Sequence, residues 1–202
     1  MITIIDYDMG NLRSVQKGFE KVGATASFAR HPEEIVAAEK LILPGVGAFR
    51  DAIAALKERQ LIQPILEYVK TGKPLMGICL GQQLLFDRSY EDGDYEGLGL
   101  IPGEVVKFEP ADKSLKVPHM GWNSLTFRKE SPITRGLPEG AFVYFVHSYY
   151  VKPKDAGVTV ATASYDVDFA AIVQKDNVMA TQFHPEKSQN IGLKILQNFA
   201  EL

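Results

Sequence analysis

Cysteine is almost absent from this chain, with Cys79 the only one among 202 residues. A single cysteine cannot form a disulfide within the chain, which excludes the small disulfide-stapled folds and favours a reducing compartment. The N-terminal residues 1–6 have no basic region followed by a long apolar stretch, so we expect no secretory signal peptide. Together these features predict a cytoplasmic location.

Blocks of basic residues and long apolar runs are also missing. Lys and Arg number 22 against 25 Asp and Glu, so nothing favours nucleic acid or a membrane surface as a partner. The longest uncharged run, residues 74–86, is too short to span a bilayer. No group of His, Cys, Asp and Glu has metal-ligand spacing, so we expect neither a metal nor another cofactor.

The first half of the chain alternates apolar runs with helical patterns. Apolar side chains at positions 12, 15, 19 and 22 predict a helix over residues 11–22 that ends at Gly23. Short apolar runs predict strands at residues 2–5, 25–29, 41–43 and 75–78, and helical stripes lie between the later ones. Such β-α-β alternation is typical of a parallel sheet with helices on both faces.

The second half is richer in strands. We predict them at residues 104–108, 122–127, 141–146, 158–163, 169–174 and 177–183. Asp176 and Asn177 predict a tight hairpin, and Ser188 is placed to cap a final helix. We therefore expect one α/β domain over residues 1–202, with three layers, a mostly parallel central sheet flanked by helices, and a β-rich second half.

The spacing around Cys79 is that of a nucleophile elbow. Gly77 and Gly81 flank it at −2 and +2, where an apolar strand gives way to a helix. Glycine suits both positions because a sharp turn brings backbone against backbone. A lone cysteine is often only a small buried hydrophobe, but this context favours a nucleophile whose thiolate faces the N-terminus of a helix.

A nucleophilic cysteine needs a base, and the base needs a group that orients it. His184 follows an apolar strand, and Glu186 lies two residues later. Residues at i and i+2 of a strand point to the same side, so Glu186 is expected to reach the imidazole. A solvated carboxylate beside a strand-end histidine is the simpler alternative.

Residues 44–47, Pro-Gly-Val-Gly, follow the predicted third strand. An oxyanion formed by attack on a carbonyl needs two N–H donors, and we assign them to Leu80 and Val46. Gly45 and Gly47 give the intervening peptide its freedom to turn. An ordinary strand-to-helix turn is the alternative, and the missing third glycine excludes a dinucleotide fingerprint.

Residues 44–47, 77–81 and 184–186, taken in this order, resemble the class I (triad-type) glutamine amidotransferases over nearly the whole chain. The resemblance implies that Cys79 is the nucleophile, His184 the general acid and base, and Glu186 its orienting group in glutamine hydrolysis. It also implies a set of substrate-binding positions. These are Gly45, Gly47, Gln83, Glu91, Ser148 and Tyr149, with Glu91 the candidate for the α-ammonium.

A narrower resemblance is carried by residues 117–123, Val-Pro-His-Met-Gly-Trp-Asn, together with residues 6–12 and 184–188. These segments resemble the family of glutaminase subunits of imidazole glycerol phosphate synthase, in histidine biosynthesis. The resemblance implies a heterodimer with a (β/α)8-barrel cyclase subunit that receives the ammonia. The implied interface residues are Asn11, Arg13, Pro118, His119, Met120, Trp122, Asn123 and Lys187.

The chain departs from that family at two positions. Asp8 stands where the family usually has glycine, and Asp tolerates a positive φ better than most residues. Gln82 stands where methionine is common, and we expect it to point away from the active face. Other amidotransferases, an independent cysteine amide hydrolase, and an inactive scaffold that only activates a barrel partner are the alternatives.

Overall fold

The computed structural model describes all 202 residues. Six α-helices occur: α1 Leu12–Lys21, α2 Pro32–Ala37, α3 Phe49–Glu58, α4 Ile62–Lys70, α5 Leu80–Leu84 and α6 Gln189–Ala200. Fourteen strands occur: β1 Ile2–Ile5, β2 Ala26–Ala29, β3 Lys40–Gly45, β4 Leu75–Cys79, β5 Phe86–Ser89, β6 Tyr95–Glu96, β7 Ile101–Lys107, β8 His119–Ser124, β9 Thr126–Phe127, β10 Phe142–His147, β11 Tyr149–Pro153, β12 Thr159–Tyr165, β13 Val167–Lys175 and β14 Val178–Thr181. None of the helices is both long and apolar enough to cross a membrane.

Eight strands form the central sheet, in the order β2-β1-β3-β4-β14-β13-β12-β9. The neighbours from β2 to β14 pair in parallel, and those from β14 to β9 pair antiparallel. The direction reverses at the predicted hairpin, because Lys175 pairs with Val178 across the turn of Asp176 and Asn177. The predicted three-layer fold with a central sheet is confirmed. The parallel half of that sheet contains β4.

Two apolar clusters cover the two faces of this sheet. On β3, Leu41 and Leu43 pack into the cluster that holds the buried side chains of α3 and α4. Ile42, which lies between them, packs into the cluster with α1 and α6. Alternate side chains of a strand point to opposite faces, so a continuous apolar run is what a sheet covered on both faces requires.

The β-rich half adds two smaller sheets, β11-β7-β5-β6 and β10-β8. The single strand predicted over residues 122–127 is wrong. The strand is interrupted at Leu125, which is buried. On one side of it β8 pairs with β10, and on the other side β9 pairs with β12 at the edge of the central sheet. Helix α2 and strands β5, β6 and β11 were not predicted.

The ends of α1 and α6 test two sequence predictions. Gly23 has φ +80° just after α1, as a glycine that ends a helix should. Ser188 does precede α6, but its hydroxyl does not cap the helix. Instead, Ser188 Oγ donates to the carbonyl of His184 at 2.7 Å and accepts from the amide of Tyr144 at 3.0 Å.

Candidate active site

Cys79 lies at the sharp turn between β4 and α5, with φ 56° and ψ −112°. A Cβ atom on Gly81 would lie 1.9 Å from the carbonyl oxygen of Leu43, and one on Gly77 would lie 2.8 Å from that of Gly81. The predicted steric need for both glycines is therefore confirmed. A non-glycine residue at positive φ costs about 1–3 kcal/mol and persists where the surrounding structure imposes it.

The Pro-Gly-Val-Gly segment reaches the same place from β3. Gly45 pairs with Cys79 in the parallel register, and the two residues after it, Val46 and Gly47, line the cleft that contains Cys79. Gly45 itself is not among the residues that line the cleft. It lies beneath the floor, where an added Cβ would meet the hydroxyl of Tyr7 at 2.7 Å.

His184 and Glu186 are in direct contact. His184 Nδ1 lies 2.8 Å from Glu186 Oε1, and the two side chains are only 4% and 1% exposed. The contact was predicted, but the strand geometry behind it is wrong. Strand β14 ends at Thr181, and Glu186 belongs to the 3₁₀ turn Pro185–Lys187. That turn, with Pro185 at its start, folds the carboxylate back onto the ring.

The charges of this group depend on one another. Burial alone would lower the pKa of His184, but the side chains of Cys79 and Glu186 raise it to about 9. While Cys79 is a thiolate, these two side chains therefore favour the imidazolium form of His184. Glu186 Oε2 is buried without a hydrogen-bond partner, so the imidazolium is the principal support of that carboxylate.

These residues meet in a cleft of about 330 Å³, at the small end of the range for small-molecule sites. The cleft is lined by Val46, Gly47, Cys79, Leu80, Gln83, Glu91, Pro118, Val146, His147, Ser148, Tyr149, His184 and Lys187. Of the predicted substrate positions, Gly47, Gln83, Glu91, Ser148 and Tyr149 all line it. Gln82 does not, and its amide instead contacts the carbonyl of Ala170 at 3.5 Å.

Two of these lining side chains are held by backbone groups. Gln83 Nε2 donates to the carbonyl of Tyr149 at 3.0 Å. Glu91 Oε2 accepts from the amide of Phe49, at the start of α3, at 2.7 Å. Burial raises the pKa of Glu91, and this backbone hydrogen bond opposes the rise.

An apolar face lies beside the cleft, on β8 and β10. Met120 pairs with Val146, Trp122 with Tyr144, and directly paired residues point to the same side. Met120 is 62% exposed, Trp122 46%, and Phe142 on the same side 57%. We call the exposed side chains of Met120, Trp122 and Phe142 the β8–β10 face.

The other predicted interface residues divide into exposed and buried ones. His119 is only 3% exposed, so its side chain is not part of an exposed surface and that prediction is wrong. Its neighbour on the inner side of β8, Asn123, donates to the carbonyl of Ser164 at 2.8 Å. The exposed ones are Asn11, Arg13, Pro118 and Lys187, and Pro118 and Lys187 also line the cleft.

Asp8, the departure in the N-terminal segment, has φ 66°, as its tolerance of positive φ predicted. Its carboxylate pairs with the guanidinium of Arg59, which accounts for the charge at this position.

Sequence reasoning missed two residues next to Cys79. Gln182 Nε2 lies 3.9 Å from Cys79 Sγ. Tyr7 donates its hydroxyl to the carbonyl of Pro44 at 2.7 Å, and its pKa is raised by burial and by the charge of Cys79. No local pattern marks either residue, because both reach the cysteine only through the pairing of β1, β3, β4 and β14.

Comparison with known proteins agrees with this geometry. Residues 3–202 match the family described as glutamine amidotransferase class-I. Three similar relatives are named imidazole glycerol phosphate synthase subunit HisH, or HisH 1 in the case of Campylobacter jejuni. The one from Syntrophotalea carbinolica is 57% identical and covers 100% of both chains. The one from Geobacter metallireducens is 54% identical over 98% of this chain and 97% of its own, and the one from Campylobacter jejuni is 54% identical over 100% of both.

Solved structures share the fold at lower identity. A glutamine amidotransferase crystal structure superposes with a TM-score of 0.77 at 20% identity and covers 100% of both chains. PurLQS from Thermotoga maritima gives a TM-score of 0.77 at 22% identity, over 99% of this chain and 97% of its own.

Proposed function

Because the chain belongs to the class I glutamine amidotransferase family, we propose that it is the glutaminase subunit of an imidazole glycerol phosphate synthase. It hydrolyses glutamine to glutamate and ammonia, and residues 1–202 act as one amidotransferase domain. The observation that carries this proposal is that Cys79 and His184 line one cleft and that Glu186 is hydrogen-bonded to His184. Identity of 54–57% to proteins with that subunit name, over essentially the full chain, supports it.

Hydrolysis begins with the Cys79 thiolate. It attacks the side-chain amide carbon of glutamine, and the resulting oxyanion accepts hydrogen bonds from the backbone N–H groups of Leu80 and Val46. The His184 imidazolium then gives its proton to the leaving nitrogen, which departs as ammonia. A γ-glutamyl thioester remains on Cys79.

The thioester is then hydrolysed. Neutral His184 takes a proton from water, the hydroxide attacks the thioester carbonyl, and the carbon–sulfur bond breaks to release glutamate and the thiolate. Glu186 holds the imidazole in one tautomer and stabilises its charged form. Gln83, Ser148 and Tyr149 hold the glutamine, and Glu91 faces its α-ammonium.

The ammonia passes to a (β/α)8-barrel cyclase that docks on the β8–β10 face. Exposed clusters of large apolar side chains are typical of protein interfaces, and tryptophan is enriched at their centres. Pro118 and Lys187 support this assignment, since they belong to the cleft lining and to the exposed surface at once. We expect the complex to work in the cytoplasm, where glutamine and reduced thiols are available.

The test is the Cys79→Ser variant in complex with the cyclase. The serine hydroxyl ionises far less readily than a thiol and is a poorer nucleophile. Glutamine-dependent synthesis should therefore fall by about 10³-fold or more. Synthesis from added ammonium salt should stay within twofold of wild type, because the cyclase chemistry does not need Cys79.

Two outcomes would contradict the proposal. Loss of both activities would mean that this chain does more than deliver ammonia. Undiminished glutamine-dependent synthesis would exclude Cys79 as the nucleophile.

A further inference from the structure

A line of hydrogen bonds runs inward from β8 towards the cleft. Asn123 Nδ2 lies 3.4 Å from His119 Nε2. His119 Nδ1 lies 3.2 Å from His147 Nε2, and His147 Nδ1 lies 2.8 Å from the carbonyl oxygen of Tyr149. Two histidines therefore connect the strand that carries the β8–β10 face to a residue of the cleft lining.

The direction of each bond follows from its ends. A carbonyl oxygen only accepts, so Nδ1 of His147 carries the proton. In a neutral ring the other nitrogen accepts, which makes His119 Nδ1 the donor to His147 Nε2. His119 Nε2 is then an acceptor for the amide of Asn123, whose own oxygen accepts from the backbone of Ser124. Both rings are held in the Nδ1-protonated tautomer.

Burial keeps both rings neutral. His119 is 3% exposed and His147 6%. Burial lowers the pKa of His119 to about 4 and that of His147 to about 3. His119 also stacks on Tyr165, with ring centroids 4.1 Å apart, and on Phe145 at 5.0 Å. The two imidazoles thus act as uncharged, rigidly packed connectors.

The line continues along the wall of the cleft. The carbonyl of Tyr149 also accepts from Gln83 Nε2 at 3.0 Å. The same nitrogen lies 3.1 Å from Gln182 Oε1, and Gln182 Nε2 lies 3.9 Å from Cys79 Sγ. Tyr149 is therefore the point where the histidine pair and the side chains around the cysteine meet.

We propose that His119 is a positioning residue that couples the β8–β10 face to the glutamine site through His147 and the carbonyl of Tyr149. The coupling rests on the proposed function, because it acts on bound glutamine. Along β8, Met120 and Trp122 point outward while His119 and Asn123 point inward. A partner seated on the outer side chains moves the strand, and the inner side chains carry that movement to Tyr149 and Gln83.

Three substitutions at one position separate the two hydrogen bonds. His119→Asn keeps an amide nitrogen near the place of Nδ1 and so preserves donation to His147. His119→Gln keeps polar atoms near Nε2 and loses that donation. His119→Phe keeps the aromatic volume and loses both bonds.

The readouts are KM for glutamine and kcat in the complex with the cyclase, with synthesis from ammonium salt as the internal control. A hydrogen bond of ordinary net strength changes an equilibrium by about three- to tenfold. His119→Phe and His119→Gln should raise KM for glutamine by about that factor. His119→Asn should stay within twofold, and ammonia-dependent synthesis should be unchanged in all three.

A purely structural role for His119 would lower the melting temperature of the variants and leave KM alike in all of them, which would overturn the proposal. Equal damage in His119→Asn and His119→Gln would also overturn it. Where His119→Phe does not fold, the Asn and Gln variants still decide, since both keep a polar side chain in the same space.

A second measurement does not depend on activity. Nitrogen-15 shifts of the imidazoles should show both His119 and His147 protonated at Nδ1. A proton on Nε2 of His119 would contradict the proposed line of hydrogen bonds.

A wild-type complex that does not hydrolyse glutamine would reject the proposed function. A wild-type complex that does, with unchanged KM in all three variants, would reject only the coupling.

Discussion

At the scale of the residue, the reactivity of Cys79 depends on the charges of its neighbours His184 and Glu186. The His184 imidazolium has an acidic group on either side, and its pKa of about 9 reflects both. One oxygen of Glu186 is buried without a partner, so the carboxylate has little support once the imidazole loses its proton. The three side chains therefore form one electrostatic unit.

The pH dependence of stability should report this unit. His184 has a pKa of about 9 when folded against 6.5 for a free imidazole. Its stabilising contribution is fully present below pH 6.5 and is lost as the pH rises through 9, because the unfolded chain releases its proton first. Over that window the free energy of unfolding should fall by about 1.4 kcal/mol per pH unit from this group.

Urea unfolding from pH 6 to 10 measures that slope. Glu186→Gln removes one of the two supports and should flatten it, while Glu201→Gln, a change at an exposed carboxylate, should leave it as in wild type. Equal slopes in wild type and Glu186→Gln would show that Glu186 does not support the imidazolium.

At the scale of the element, the short turn between β14 and α6 has to be held in place, since it carries Glu186. Two hydrogen bonds tie it to β10, and a third joins its own two ends. The amide of His184 donates to the carbonyl of Tyr144 at 3.2 Å, the amide of Tyr144 donates to Ser188 Oγ at 3.0 Å, and that hydroxyl donates to the carbonyl of His184 at 2.7 Å. Ser188 thus closes a ring that fixes the start of the turn.

Ser188→Ala should therefore lower the free energy of unfolding by about 1–3 kcal/mol, because it leaves the amide of Tyr144 without its partner. Ser131→Ala is the matched control, since Ser131 is also buried but its hydroxyl has no hydrogen-bond partner. It should cost under about 0.5 kcal/mol or stabilise the fold. Chemical denaturation of both variants measures the difference. Similar losses of unfolding free energy in the two variants would show that the hydrogen bonds of Ser188 do not stabilise the turn.

At the scale of the whole molecule, the central sheet sets where the cleft and the β8–β10 face lie. The parallel half brings Cys79 and the Pro-Gly-Val-Gly segment to the carboxyl ends of β4 and β3. Open α/β sheets bind ligands at that edge. The separate β8–β10 pair then stands beside the cleft, with its large apolar side chains in solvent.

Trp122→Ala should weaken the complex with the cyclase by about 30-fold or more, as expected for a tryptophan at an interface centre. Val36→Ala, at a residue of α2 that is 42% exposed, is the control and should leave affinity unchanged. Calorimetric titration measures both. Trp122 is the only tryptophan, so a blue shift of wild-type fluorescence on binding is an independent check. Unchanged affinity in Trp122→Ala would remove the β8–β10 face as the docking surface.

Local signals in the sequence anticipated much of the fold and the central residues of the site. Gly77 and Gly81 marked the turn at Cys79 because their spacing is that of a nucleophile elbow. The contact that requires Gly77 is local, with the carbonyl of Gly81, whereas Gly81 is required by the carbonyl of Leu43 on the neighbouring strand. The contact of His184 with Glu186 was also anticipated, although the chain achieves it with a turn instead of a strand. In contrast, the resemblance implied that His119 lies at the partner interface, and neither the motif nor period-two alternation says which side of a strand faces inward.

The sequence by itself determined the alternation of strands and helices, the glycine elbow and the residue types gathered for hydrolysis. The alternation and the residue types depend on near neighbours and on side-chain chemistry, which any local window of the chain contains. The glycine spacing is visible in such a window too, although the contact that requires Gly81 is with the carbonyl of Leu43. Only the tertiary structure decided that Gly45 lies under the cleft, that Gln182 approaches Cys79, and that His119 pairs with His147. Those contacts join residues far apart in the chain, and their geometry is set by how the strands pair and how the side chains fill the space between them.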